Sequence, residues 1–184
     1  MRLFTGIELP EAVATNLNGV VDRLRHTAHL KWTPVYNLHL TTKFIGEWPE
    51  ARVPELIDCL RPLGRRAPIA LKVEGIGWFP NPHTPRVLWA GVKAGPEFAQ
   101  LAADTDEALA ALGVERETKK FSPHLTLARI KEAVPLAPVR QAIAQLPTVD
   151  FGDFVASRFH LYLSTPGPSG SIYTQLAGVP FLSE

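Results

Sequence analysis

The sequence predicts an α+β fold of two pseudo-symmetric lobes, each a mainly antiparallel sheet with outer helices, with a cleft between them. Three observations carry this expectation. The tripeptide His-Leu-Thr occurs twice, at His39-Leu40-Thr41 and at His124-Leu125-Thr126, each time inside an apolar run. The order of elements around the two copies also repeats: long helix, His-Leu-Thr strand, short helix, strand, Pro-rich turn, strand. No stretch between the halves has the composition of a disordered hinge, so lobes of about 1–94 and 95–184 are expected to form one domain. Which strands the lobes exchange stays open.

The elements follow in order. Residues 2–9 alternate loosely and read as a strand. Pro10 and Glu11 open a helix, carried by Val13, Leu17, Val20, Val21 and Leu24 at helical spacing. Lys31-Trp32-Thr33-Pro34 is a loop into the first His-Leu-Thr strand, which ends near Gly46. Trp48-Pro49 breaks it, and a helix from Val53 to about Leu63 stops at Gly64. Residues 69–79 and 86–92 are strands about the turn Pro80-Asn81-Pro82-His83-Thr84-Pro85. Gly95-Pro96 opens a third long helix, closed by Gly113. The second His-Leu-Thr strand runs from about Pro123 to Ile130, and a short helix spans 138–146. Strands at 150–155, 158–164 and 171–177 complete the chain, the last two joined through Pro166-Gly167-Pro168-Ser169-Gly170.

Composition narrows the function. A net charge of +1 excludes a strongly basic protein that coats nucleic acid. The single cysteine, Cys59, excludes intramolecular disulfides and Cys-based zinc sites; it fits a reducing compartment and reads as helix packing. Glu8 and Glu11 interrupt any leader-like apolar run, and no stretch is long and apolar enough to span a membrane. A cytoplasmic monomer is expected.

In a strand, residues i and i+2 share a face. Each copy therefore aims one imidazole and one hydroxyl the same way: His39 with Thr41, His124 with Thr126. One such pair is unremarkable in a sheet; two in matching halves point to a shared site. Two histidines can move two protons near neutral pH, one accepting while the other donates. Threonine hydroxyls donate to anionic oxygens. The set suits in-line displacement at phosphorus, with base and acid on opposite sides. No His-Glu-x-x-His and no carboxylate cluster accompanies them, so no metal is expected. Gly75-Ile76-Gly77 is too short for a nucleotide fingerprint and there is no P-loop. No cofactor is implied. His26, His29, His83 and His160 need no catalytic role.

Parity sorts the neighbours. Lys43 falls on the His39/Thr41 face as a candidate phosphate contact, and Phe44 falls on the core side. Arg129, whose planar guanidinium suits phosphate, falls off the His124/Thr126 face and reaches the site only by its length or through a bulge. Trp32, in its loop, is the candidate base contact.

These motifs, with Met1-Arg2-Leu3-Phe4, Phe44-Ile45-Gly46, Phe121-Ser122-Pro123 and the tail Phe159–Ser164 and Gly170–Tyr173, resemble the 2H phosphoesterase superfamily. Within it they are most similar to the RNA 2′,3′-cyclic phosphodiesterases, formerly called 2′-5′ RNA ligases. The resemblance spans the chain and implies metal-free hydrolysis of a 2′,3′-cyclic phosphate, on an RNA end or a cyclic nucleotide, to a 2′-phosphomonoester. It assigns His39 as acid to the leaving 3′ oxygen, His124 as base to water, and Thr41, Thr126 and Arg129 as holders of the non-bridging oxygens. Thr42 departs from the family's usual apolar residue, at a position that parity turns away from the site. The same residues would serve the reverse ligation, and a non-catalytic module binding RNA ends or nucleotides is the reading from another class.

Overall fold

The structure, a computed structural model, describes residues 1–182. Thirteen elements follow one another: β1 (Arg2–Glu8), α1 (Glu11–Leu24), β2 (Lys31–Trp32), β3 (His39–Glu47), α2 (Val53–Leu60), β4 (Ile69–Phe79), β5 (Val87–Ala94), α3 (Pro96–Ala110), β6 (His124–Arg129), α4 (Ala137–Ala144), β7 (Asp150–Ala156), β8 (Arg158–Gly167) and β9 (Gly170–Pro180). The α+β expectation holds. Two differences are local. α2 ends at Leu60 and tightens into a 3-10 turn over Arg61–Gly64, where Pro62 has no N–H to extend the α ladder. Lys31 and Trp32, expected in a loop, pair with β6.

All pairings are antiparallel and form two sheets, ordered β3-β1-β8-β9 and β2-β6-β5-β4-β7. Each His-Leu-Thr strand lies beside the strand that precedes the long helix before it: β3 beside β1, and β6 beside β5. The repeated unit is therefore strand, helix, His-Leu-Thr strand, helix, starting at β1 and again at β5.

The sheets do not coincide with the halves 1–94 and 95–184. Hairpin pairing keeps β4 next to β5, so β4 completes the second sheet. The place beside β1 is left for β8. The two Pro-rich turns, equivalent in sequence order, are not equivalent in space: one lies between two inner strands, the other at an edge.

Helices flank the sheets in pairs. α1 packs on β7 and α4, and α3 packs on β3 and α2. The apolar stripe of α1, Val13, Leu17, Val21 and Leu24, is wholly buried, as helical spacing requires. Phe98, Phe151 and Phe159 are the largest fully buried side chains.

Both His-Leu-Thr strands carry a bulge at the same offset. On β3, Thr41 faces Gly6 and Lys43 faces Thr5, so Thr42 is the extra residue. On β6, Thr126 faces Trp89 and Ala128 faces Leu88, so Leu127 is extra. Each lies three positions after its histidine. A bulge inverts the alternation beyond it. The buried Thr42 hydroxyl bonds the Thr5 hydroxyl at 2.7 Å, which satisfies the polar group in a packed position.

Candidate active site

The register identifies which side chains share a face. On β3, His39, Thr41 and Phe44 lie opposite Glu8, Gly6 and Phe4 of β1. On β6, His124, Thr126 and Arg129 lie opposite Gly91, Trp89 and Val87 of β5. Strands β3 and β6 touch across the seam between the sheets, so the two dyads are carried by neighbouring strands of different sheets.

The histidines are held alike. His39 Nδ1–H donates to Asn37 O at 2.8 Å, and His124 Nδ1–H donates to Ser122 O at 2.8 Å. In both cases the acceptor is the carbonyl two residues back. That bond selects the tautomer with its proton on Nδ1 and leaves Nε2 for chemistry. His39 Nε2 meets Thr41 Oγ1 at 2.9 Å. Its ring stacks on Phe4, centroids 4.5 Å apart, and takes the edge of Tyr173 at 5.0 Å. Burial lowers the His39 pKa, and the Asn37 carbonyl opposes this in part. The free protein therefore holds His39 neutral at pH 7. His124 is exposed.

A cavity of about 420 Å³ opens beside His39, with Tyr36, Tyr162, Tyr173, Glu8 and Gln175 in its wall. Its size is that of a small-ligand pocket. His124 is not in that wall. Burial pushes the Tyr162 hydroxyl up to about 12, against a bond to Gln175, so it stays protonated.

Of the expected residues, the structure groups His39 with Thr41, and His124 with Thr126 and Arg129. Arg129 reaches that face because of the bulge at Leu127. It is exposed and makes no ion pair among the described residues. Two expectations fail for the same reason of phase. The bulge at Thr42 turns Lys43 away from His39: the side chain is 5% exposed and bonds Asp106 at 2.6 Å, so it is not a phosphate contact. The same bulge brings Phe44 out of the core, 67% exposed, onto the His39 face. Trp32, expected in a loop, is half-buried and lies in a strand. It pairs with Ala128 on the buried side of the second sheet and packs against the core.

Three residues escaped the sequence reading. Lys31 pairs with Arg129 and so adds a cation to the second dyad's face. Tyr36, 82% exposed, stands at the lip of the cavity; its place immediately before Asn37 was the only available signal. Glu8, read only as an interruption of the apolar N-terminal run, sits opposite His39. Among the described residues no group of three or more His, Cys, Asp or Glu is placed to hold a metal ion, and no helix is long and apolar enough to cross a membrane.

Comparison with known proteins gives consistent results. A family model described as LigT like Phosphoesterase matches the chain twice, over residues 7–89 and 92–173, in keeping with the internal repeat. A Methanocaldococcus jannaschii protein named RNA 2′,3′-cyclic phosphodiesterase is 33% identical over 94% of this chain and 96% of its own. A Thermus thermophilus protein of the same name is 36% identical over 96% of this chain and 88% of its own. A crystal structure from Thermus thermophilus superposes with a TM-score of 0.83 at 33% identity, covering 100% of both chains. The E. coli LigT structure complexed with 3′-AMP shares the fold, with a TM-score of 0.78 at 24% identity over 98% of this chain and 97% of that one. A chain with two His-Leu-Thr strands, matched in both halves by one family model and along nearly its whole length by these relatives, belongs to the LigT-like phosphoesterases of the 2H superfamily.

Proposed function

We propose that this protein hydrolyses RNA 2′,3′-cyclic phosphate ends to 2′-phosphomonoesters, with two histidines as acid and base and no metal ion. The observation that carries the reading is the shared tether: both imidazoles fix Nδ1–H on the carbonyl two residues back, and so both present Nε2 from strands that touch. The relatives' names supply the substrate class.

His124 Nε2 accepts a proton from water as the water oxygen bonds phosphorus. The bond from phosphorus to the 3′ oxygen breaks, and that oxygen takes a proton from His39 Nε2. Thr41, Thr126 and Arg129 hold the non-bridging oxygens, where negative charge accumulates. His39 is neutral when the site is empty, so it acquires its proton as the anionic substrate arrives and raises its pKa. A single thiol, Cys59, fits a reducing compartment, and we place the enzyme in the cytoplasm as a monomeric domain.

The test is incubation with cyclic-ended RNA in excess chelator, followed by assignment of the product phosphate to the 2′ or 3′ oxygen. Release of 2′-phosphate ends supports the proposal. Full activity in a His39→Ala, His124→Ala double variant, or activity that chelator abolishes and metal restores, would overturn it.

A further inference from the structure

A second cavity, of about 240 Å³, adjoins the one beside His39; Glu8 contributes to both walls. Its other polar lining groups include Ser157, Arg158 and His160. The register places its Glu8 and His160 on the site's own face, and Ile7, Leu9 and residues 154–156 of β7 contribute to the wall. Gly6 pairs with Thr41 on one side and with His160 on the other, and His160 pairs with Gly178. Two strand spacings, about 10 Å, thus separate the β3 dyad from His160 along one row.

Glycine flanks His160 in that row, and the neighbouring groups lie over it: a Cβ on Gly6 would meet the Leu40 carbonyl oxygen at 2.8 Å and His39 Cδ2 at 3.4 Å. A Cβ on Gly178 would lie 3.4 Å from His160 Nδ1 and 4.0 Å from an Arg158 guanidinium nitrogen, so imidazole and guanidinium stand side by side there. His160 is 6% exposed, and its Nε2 lies 3.9 Å from Glu8. Arg158 is exposed and, like Arg129 and Arg140, has no carboxylate partner among the described residues. The two dyads make no use of this cation.

We infer that the Arg158–His160 cavity binds the phosphodiester 5′ of the reacting nucleotide, so that the substrate is an oligonucleotide rather than a cyclic mononucleotide. The inference rests on the proposed function and deepens it. A guanidinium fork beside an imidazole and a serine hydroxyl supplies donors for non-bridging phosphate oxygens. Glu8, on the partition, accepts a hydrogen bond from a ribose hydroxyl. A cyclic mononucleotide fills only the cavity at His39. The next unit of a strand is what reaches across Glu8.

The experiment compares kcat/KM for a cyclic-ended dinucleotide and for the matching cyclic mononucleotide. The wild type should prefer the dinucleotide by about tenfold, the scale of one charge-assisted contact. Arg158→Gln should bring the ratio to within about twofold of one, and Arg158→Lys should retain part of it. No preference in the wild type, or an unchanged ratio in Arg158→Gln, would overturn the assignment. Calorimetric binding of the 2′-phosphorylated dinucleotide against the nucleoside 2′-phosphate gives the same ratio without turnover. Hydrolysis of neither substrate would therefore refute the phosphodiesterase reading alone, while the binding ratio still decides the subsite.

Discussion

Lys43 Nζ lies 2.6 Å from Asp106 Oδ1 and donates to Glu115 O at 2.6 Å. The same carboxylate oxygen accepts from Glu117 N–H at 2.9 Å. A strand residue four places after His39 thus fastens α3 to the segment that leads into His124. Removing Lys43 leaves the half-buried Asp106 carboxylate with the Glu117 N–H and the more distant Arg116, so Lys43→Met should lower stability by about 1–3 kcal/mol. Urea denaturation checks this; a change below about 0.5 kcal/mol would mean the pair is solvated.

The same pair carries a pH signature. Burial would raise the Asp106 pKa, but the Lys43 and Glu117 bonds and the charges of Lys43 and Arg116 outweigh it and hold the carboxyl low. A carboxyl lower in the native chain than in the unfolded one stabilises the fold above its unfolded pKa, about 4. The contribution disappears as pH falls through the native value. Stability differences between wild type and Asp106→Asn should be full at pH 7 and shrink steadily below about pH 4.

Phe44 and Phe98 make opposite predictions for one residue type. Phe98 is 1% exposed, and its replacement by alanine should cost about 3–5 kcal/mol. Phe44 is 67% exposed, and the same change should cost about 0.5 kcal/mol or less. Thermal denaturation of the two variants tests the bulge at Thr42 directly, since an unbulged strand would bury Phe44 and remove the contrast.

His39 should titrate below the ordinary histidine value of about 6.5 in the free protein. Adding inorganic phosphate should move its midpoint upward, because a bound anion favours the imidazolium. Carbon-detected NMR titration of the imidazoles reads both effects. A His39 midpoint above 6.5 without ligand would contradict the burial argument.

Arg129 should matter through charge and shape. Arg129→Ala should reduce kcat/KM by about 10–100-fold, and Arg129→Lys should recover only part of it, because an ammonium lacks the planar fork. Steady-state kinetics on a cyclic-ended dinucleotide measures this; complete rescue by lysine would show that a point charge suffices.

Much of the fold was legible because apolar periodicity is a local signal: α1, α3 and both dyad strands lie within a few residues of where spacing put them. The dyads were legible because they are short and repeated. Sheet membership was not. The place of β8 beside β1 depends on contacts across most of the chain, which no local pattern records. The phase beyond each dyad was hidden too. Leu127-Ala128 and Thr42-Lys43 read as unbroken strand, and only the partner strand's register reveals the extra residue. That one omission misplaced Lys43 and Phe44, while for Arg129 a bulge was one of the two routes to the site that parity left. Trp32 differs in its setting: next to a lysine it read as a loop residue, but two residues of pairing with β6 place it in the second sheet, half-buried.

The extra residue stands at the same offset in both copies, so the kink is a shared feature of the internal repeat. The repeat turns the fifth residue after each histidine outward. One copy filled that station with a phenyl ring, the other with a guanidinium. Near-symmetric architecture has thereby acquired two unlike sides, one suited to a flat apolar surface and one to an anion, and a substrate that is itself lopsided has only one way round to enter.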